Sequence, residues 1–338
     1  MKINSNEYNL LFKNSFTISK GTKTHQQTLL IELDYFGVKA YGEAPFISYY
    51  NITIEKMKED LERKKLFLEK FAFSDPERYW HYLHHLFPDN SFLVCALDMA
   101  GWDLYGKLKR KQLHELWGLN TSDSPLTDFT IGIDTIDTMV KKMKERPWPI
   151  YKVKVGVPGD IEMVTELRKH TNAVLRVDAN AGWTLEEALE KIPQLKELGV
   201  ELVEQPLAKD NWEGMKILYR ESSIPLIADE SCVAETDVEK CYQHFHGINI
   251  KLTKCSGITP ARRMITKARE LELKIMIGCM NESSVGTAAI AQLAPLADYI
   301  DMDGPLLLVE DTAKGVGFDF GKIMYTDTPG LGVTVQPF

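Results

Sequence analysis

From about residue 127 onward, apolar and polar positions repeat in a regular cycle. Short β-type runs lie at 128–133, 151–155, 174–178, 200–204, 225–228, 247–252, 273–277 and 298–303. Most of the intervals carry apolar positions at helical spacing, as in Leu185, Ala188, Leu189, Ile192 and Leu195. A strand, a helix and two short loops need roughly 25 residues, so the cycle reads as βα units with parallel strands. Eight such runs favour closure into a barrel over an open sheet. No G-x-G-x-x-G or G-x-x-x-x-G-K-S/T loop follows any of them, which removes the usual support for a nucleotide fold. Thr184 with Glu187, and Thr236 with Glu239, have capping-box form and mark helix starts.

The first hundred or so residues follow another pattern. Residues 27–35 and 38–43 are β-type runs joined at Phe36-Gly37, a hairpin signal. Residues 52–72, 76–86 and 92–107 then show helical spacing, for example at Phe92, Cys95, Ala96, Met99 and Trp102. This predicts a small sheet followed by helices.

Composition narrows the class. With 338 residues and 44% hydrophobic content a sizeable core is expected. A net charge of −8 leaves no excess of cations to neutralise phosphates, so neither nucleic acid nor an anionic membrane is expected as partner. The five cysteines form no C-x-x-C pair, which fits a reducing, cytoplasmic setting without a thiolate zinc site. The N-terminal stretch lacks a signal-peptide pattern, and no apolar run of about 18 residues predicts a membrane span.

Charged residues fall at one place in the cycle. Lys152 and Lys154 share a face of the second barrel run by the period of two. Asp178, Glu204, Asp229 and Lys251 each end a later run, at intervals of 24, 26, 25 and 22 residues from Lys154 onward. One charged residue per βα unit converges on the C-terminal mouth, where barrel enzymes carry their active sites. A lone K-x-K is ordinarily a solvated strand face, and D-A-N or D-E-S ordinarily a loop signal. The joint order of lysine, three acids and lysine sets this case apart. Three carboxylates so close require a cation, and an all-oxygen set without His suits Mg²⁺. Lys154 and Lys251 flank the acids in chain order, so a closed ring sets them opposite each other. Such a site suits abstraction of a proton next to a carboxylate, with the metal and Lys152 stabilising the second negative charge. The cation and Lys152 are expected to lower the pKa of Lys154 towards the useful range.

At these residues the chain resembles the enolase superfamily, specifically its muconate-lactonizing subgroup. The resemblance covers essentially the whole chain, including Ala96 to Asp103 and Gly42 to Pro45. It implies an α/β fold, a (β/α)₇β modified TIM barrel with an α+β capping domain. The capping domain is expected at 1–120, the barrel at 121–320, and a C-terminal segment at 321–338 returning to the cap. It further implies Lys154 and Lys251 as the acid/base pair, Asp178, Glu204 and Asp229 as Mg²⁺ ligands, and Lys152 as a substrate-carboxylate contact. Asn180, Glu230 and Glu282 are expected just outside these ligands. The interval from Lys154 to Asp178 is shorter than is usual in the family, which suggests a trimmed βα loop.

Asp301-Met-Asp303, at the end of the last run, resembles the D-x-D by which dipeptide epimerases of this subgroup hold the substrate's α-ammonium. Two further carboxylates at the mouth select for a cation. The implied activity is epimerisation of L-Ala-L-Xaa dipeptides at the C-terminal residue, by two-lysine 1,1-proton transfer through an enediolate. The alternatives are o-succinylbenzoate synthase, N-succinylamino acid racemase or a cycloisomerase on the same scaffold, and more remotely a non-catalytic barrel. Asp301 and Asp303 discriminate, because none of those substrates carries a free ammonium. Side-chain preference is expected from cap loops at 13–25 and 46–52, with Thr17 among the substrate contacts. Ala-Glu-preferring relatives carry an arginine in the first loop, and Asn14 to Ile18 has none, so Xaa is expected to be neutral, apolar or β-branched. Lys13, Lys20 and Lys23 stand close by. A homo-oligomer is expected.

Overall fold

The computed structural model describes residues 1–336; the last two residues of the 321–338 segment lie outside the described residues. Two long strands, β1 (Lys2–Ile18) and β2 (Gly21–Tyr35), form an antiparallel hairpin, and β3 (Val38–Pro45) pairs with β2 on its other edge. The hairpin register breaks between Leu11 and Phe16. Residues 13–25, expected as a loop, are therefore mostly the tip of this hairpin. The polar, asparagine-rich β1 carries few β-branched residues, and as an edge strand it buries few of its side chains.

Helices α1 (Ile54–Glu69), α2 (Pro76–Leu86) and α3 (Ser91–Lys109) cover the sheet. Each begins on a side-chain cap, Thr53, Asp75 and Asn90 respectively, as an N-terminus with free N–H groups requires. Helix α3 packs so closely on β3 that a Cβ on Gly42 would overlap the Ala96 carbonyl oxygen.

The barrel strands are β4 (Phe129–Ile131), β5 (Ile150–Lys154), β6 (Val174–Asp178), β7 (Val200–Glu204), β8 (Leu226–Ala228), β9 (Gly247–Ile250), β10 (Lys274–Gly278) and β11 (Tyr299–Asp301). They run parallel in chain order, and a bridge between Thr127 and Ile300 brings the last strand back to the first. Each lies within a run read from the sequence or shifts from it by one residue. The Thr184–Glu187 capping box forms at the start of its helix, with bonds of 3.2 and 2.8 Å. The Thr236–Glu239 box does not. There the Asp237 carboxylate accepts from the N–H groups of Val233 and Ala234 instead, and the helix Val238–Cys241 is a single turn.

Buried carboxylates tie the layers together. Asp98 on α3 accepts from the N–H and hydroxyl of Thr259, capping a barrel helix, and Glu43 on β3 does the same for Ser283 and Gly286. Asp103 accepts from Tyr41 and from Leu331, so the C-terminal stretch folds back against α3. Among the described residues, no helix is long and apolar enough to cross a membrane.

Candidate active site

The period of two in β5 sends Lys152 and Lys154 to the same side, into the barrel mouth. Both are buried, and both meet carboxylates from the next strands. Lys152 Nζ lies 2.6 Å from Glu204, 2.7 Å from Asp301 and 3.3 Å from Asp178. Lys154 donates to Asp178 at 2.6 Å and Lys251 to Asp229 at 2.7 Å. Lys154 ends β5 and Lys251 directly follows β9, four strands apart in a ring of eight, so the two ammonium groups rise from opposite staves. Asp178, Glu204 and Asp229 occupy the staves between them, with one oxygen from each lying within 4.8 Å of the others.

This crowding sets the ionisation. Burial alone would neutralise Lys152 and Lys251, but the surrounding carboxylates outweigh it and hold both well above the ordinary lysine range. Burial would likewise raise Asp178, which Lys154 and Lys152 instead hold at about 2. Glu204 is pushed up to about 7 by burial and by Asp178.

Asp301 and Asp303 converge although only Asp301 is in the strand. Asp303 lies two residues on and starts the short turn Gly304–Leu307. It accepts from the Thr130 N–H at 2.6 Å and rises to about 7 through burial and the neighbouring Asp301. The Cys279 sulfur lies 3.9 Å from each of the two carboxylates.

Above these groups lies a cavity of about 250 Å³, lined by Lys154, Lys251, Asp229, Glu230, Asn180 and Asp301 among others. The cap supplies its roof, through Phe16, Ile18, Lys20 and Lys23 of the hairpin and through Ile47 to Tyr50. Thr17 corrects the sequence expectation. Strand alternation turns Phe16 and Ile18 towards the cavity and Thr17 away, and its hydroxyl bonds Thr22 at 2.9 Å. Lys20 pairs with Glu230 at 3.1 Å and lies over the Tyr49 ring.

The comparisons agree with this geometry. Residues 135–338 match the family model described as "Enolase C-terminal domain-like". The chain belongs to the enolase superfamily. Over 99% of its length and 100% of the other's, it is 51% identical to the L-Ala-D/L-amino acid epimerase of Flavobacterium johnsoniae. A substrate-liganded L-Ala-D/L-Glu epimerase from Bacillus subtilis superposes with a TM-score of 0.93 at 26% identity, covering 100% of both chains. The dipeptide epimerase of Cytophaga hutchinsonii, complexed with Mg and D-Ala-L-Val, gives 0.91 at 27% identity, covering 99% of this chain and 96% of that one. As an enolase-superfamily member with these relatives, the protein is an isomerase of the racemase/epimerase class.

In this enolase-superfamily barrel the three central acids form a donor set of buried carboxylate oxygens alone, which fits a hard cation such as Mg²⁺. Several supports were not read from the sequence. Lys254 donates to both the Asp229 carboxylate and its carbonyl. Asn249 donates to Glu204 at 2.8 Å, and Gln205 accepts from the N–H groups of Asp229 and Ser231. Lys254 stands three residues after Lys251 on one helical turn, a spacing that could have revealed it. Asn249 needs a cross-strand neighbour, which a sequence does not display. Of the outer residues that were expected, Asn180 donates its N–H to Asp178 at 2.9 Å, and Glu230 lines the cavity. Glu282 accepts from Met280, packs near Glu43, and is raised to about 7 by burial.

Proposed function

We propose that this chain is a Mg²⁺-dependent dipeptide epimerase that inverts the α-carbon of the C-terminal residue of L-Ala-L-Xaa dipeptides, with Xaa neutral. The observation that carries this reading is the placement of Lys154 and Lys251 on opposite staves of one cavity, with three carboxylates between them. A base fixed on one face returns the proton to the face it left. Two amines on opposite faces of one α-carbon can remove a proton from one side and return one to the other.

Lys154 takes the α-proton of the L-form and Lys251 delivers a proton from the other face; the roles exchange for the D-form. Asp178, Glu204 and Asp229 would hold a Mg²⁺ ion, which would supply Lewis acidity for the substrate carboxylate and offset the acid charge that keeps Lys251 protonated. Lys152, fixed by three carboxylates, adds a positive charge that does not move during the reaction. Asp301 and Asp303 hold the α-ammonium, which favours a free amino terminus over an N-acylated substrate.

The preference for a neutral Xaa rests on the roof. Phe16, Ile18, Ile47 and Tyr50 line the cavity, Lys20 is engaged by Glu230, and burial disfavours charge on Lys23. The relative from Flavobacterium johnsoniae is designated for D/L-amino acids in general, so the choice of a neutral Xaa rests on the roof alone.

The test is α-deuterium incorporation in D₂O, read by mass spectrometry over an L-Ala-L-Xaa library. Wild type washes deuterium into the C-terminal residue. Lys154→Ala loses exchange of the L-epimer first and Lys251→Ala that of the D-epimer, each by about 10²-fold or more. Undiminished exchange of both epimers in both variants would sink the proposal.

A further inference from the structure

A second pocket of about 210 Å³ adjoins the substrate cavity and shares Phe16 and Thr130 with it. It lies where β1 breaks register with β2, so that residues 12–15 face the helix Ile136–Glu145 and the turn Gly304–Leu307. Its floor is apolar, built by Phe12, Phe129, Leu306 and Leu307. Its rim carries Lys13, Lys142 and Arg146 against one acid, Glu145.

Two of those charges are already answered. Lys142 pairs with Asp134 at 3.1 Å, and Glu145 lies 3.7 Å from Lys141. Lys13 and Arg146, among the described residues, have no carboxylate within ion-pair distance. Lys13 donates to the Leu306 carbonyl, and the Arg146 guanidinium lies over the rings of Phe129 and Trp148 at 5.6 and 5.9 Å. Burial and then the nearby Arg146 both lower the pKa of Lys13. Two like charges beside an apolar floor repel each other, and an anion between them relieves that repulsion. A guanidinium fixed by aromatic faces suits a carboxylate in particular, because it can offer two parallel N–H groups.

We infer that this second pocket binds a carboxylate group. Thr130 forms part of its wall and gives its N–H to Asp303, so the pocket adjoins the place where the proposed function puts the substrate's ammonium. The carboxylate then belongs to an acidic side chain on the amino-terminal residue of the dipeptide, or to a free dicarboxylate. The first source rests on the dipeptide reading and the second does not.

Two measurements separate these sources. Epimerisation of L-Glu-L-Leu is compared with that of L-Ala-L-Leu in wild type, Arg146→Gln and Lys13→Gln, and succinate binding is titrated by calorimetry in all three. If the carboxylate is the substrate's own, Arg146→Gln lowers kcat/KM for L-Glu-L-Leu by about tenfold and leaves L-Ala-L-Leu within about twofold of wild type. Lys13→Gln, at an exposed position where folding is not at stake, lowers it in the same direction. If the ligand is free, the dipeptide ratio holds and succinate binding weakens in both variants. Dipeptide ratios and succinate binding that are equal in all three proteins overturn the inference. Absence of turnover of either dipeptide by wild type refutes the dipeptide reading alone, and the succinate titration still decides the pocket.

Discussion

Replacing Lys254 by methionine tests whether the acids of this site depend on lysines that never touch the substrate. The Lys254 ammonium has three N–H groups and three acceptors: Asp229 Oδ1 at 2.6 Å, the Asp229 carbonyl at 2.7 Å and the Asn249 carbonyl at 3.1 Å. It is 3% exposed, so water has little room to replace it. Methionine keeps most of the volume and removes all three donors. Removing one partner of a buried pair costs about 3–5 kcal/mol, and each buried acceptor left unpaired about 1–3 kcal/mol, two overlapping accounts of one loss. Asp229 keeps Lys251 on its other oxygen at 2.7 Å, which places the expected loss at the low end, about 3 kcal/mol. Guanidinium unfolding in EDTA, followed by tryptophan fluorescence, measures it. The loss should shrink in Mg²⁺, because a cation that binds the folded site stabilises it and Asp229 carries more uncompensated charge in the variant. A loss under about 1 kcal/mol in EDTA, or an identical loss with and without Mg²⁺, would refute the reasoning.

Two further outcomes follow from the contacts between layers. Asp98 is pushed up to about 7, chiefly by burial and against its bonds from Thr259. The folded carboxyl thus holds its proton more tightly than the unfolded one, so its contribution to stability is full below about pH 4 and lost as pH rises through about 7. Asp98→Asn should flatten the fall in denaturation midpoint over that window without abolishing it, since Glu282 and Asp303 are raised to about 7 as well; parallel curves for variant and wild type would contradict this. Gly42→Ala places a Cβ against the Ala96 carbonyl, a backbone atom that moves only with α3. Its unfolding free energy should drop by about 3 kcal/mol, and a wild-type melting curve would show the sheet–helix contact to be looser than described.

Much of the site was legible in the sequence because each barrel unit repeats one spacing. Strand ends fall every 22 to 26 residues, so Lys154, Asp178, Glu204, Asp229 and Lys251 could be placed on one rim before any coordinates. What the sequence hid has physical causes. Strand β1 is an edge strand of mostly polar residues, so it lacks the alternating apolar signal that marks a half-buried strand. With residues 13–25 read as a loop, nothing fixed which side chains faced the cavity; the strand pairing of Phe16, Thr17 and Ile18 with Lys23, Thr22 and Gly21 supplies that alternation. Asn249 reaches past β8 to Glu204 at the end of β7, and Lys254 reaches the Asp229 carboxylate and carbonyl after β8, partners that come together only once the strands assemble. Thr236 did not become a cap because the chain starts its turn earlier, where Asp237 reaches back to the N–H groups of Val233 and Ala234.

The roof and floor of the cavity come from far-separated stretches of the chain, residues 16–50 above and 130–301 below. Phe16, Ile18 and Ile47 take no part in the ion pairs that fix the four buried lysines, so they are free to drift while those lysines are not. A lineage can therefore change its diet by editing a hairpin tip, leaving the proton-handling apparatus as inherited. Relatives of this fold should then diverge fastest near their beginnings, with the barrel rim as the slow clock.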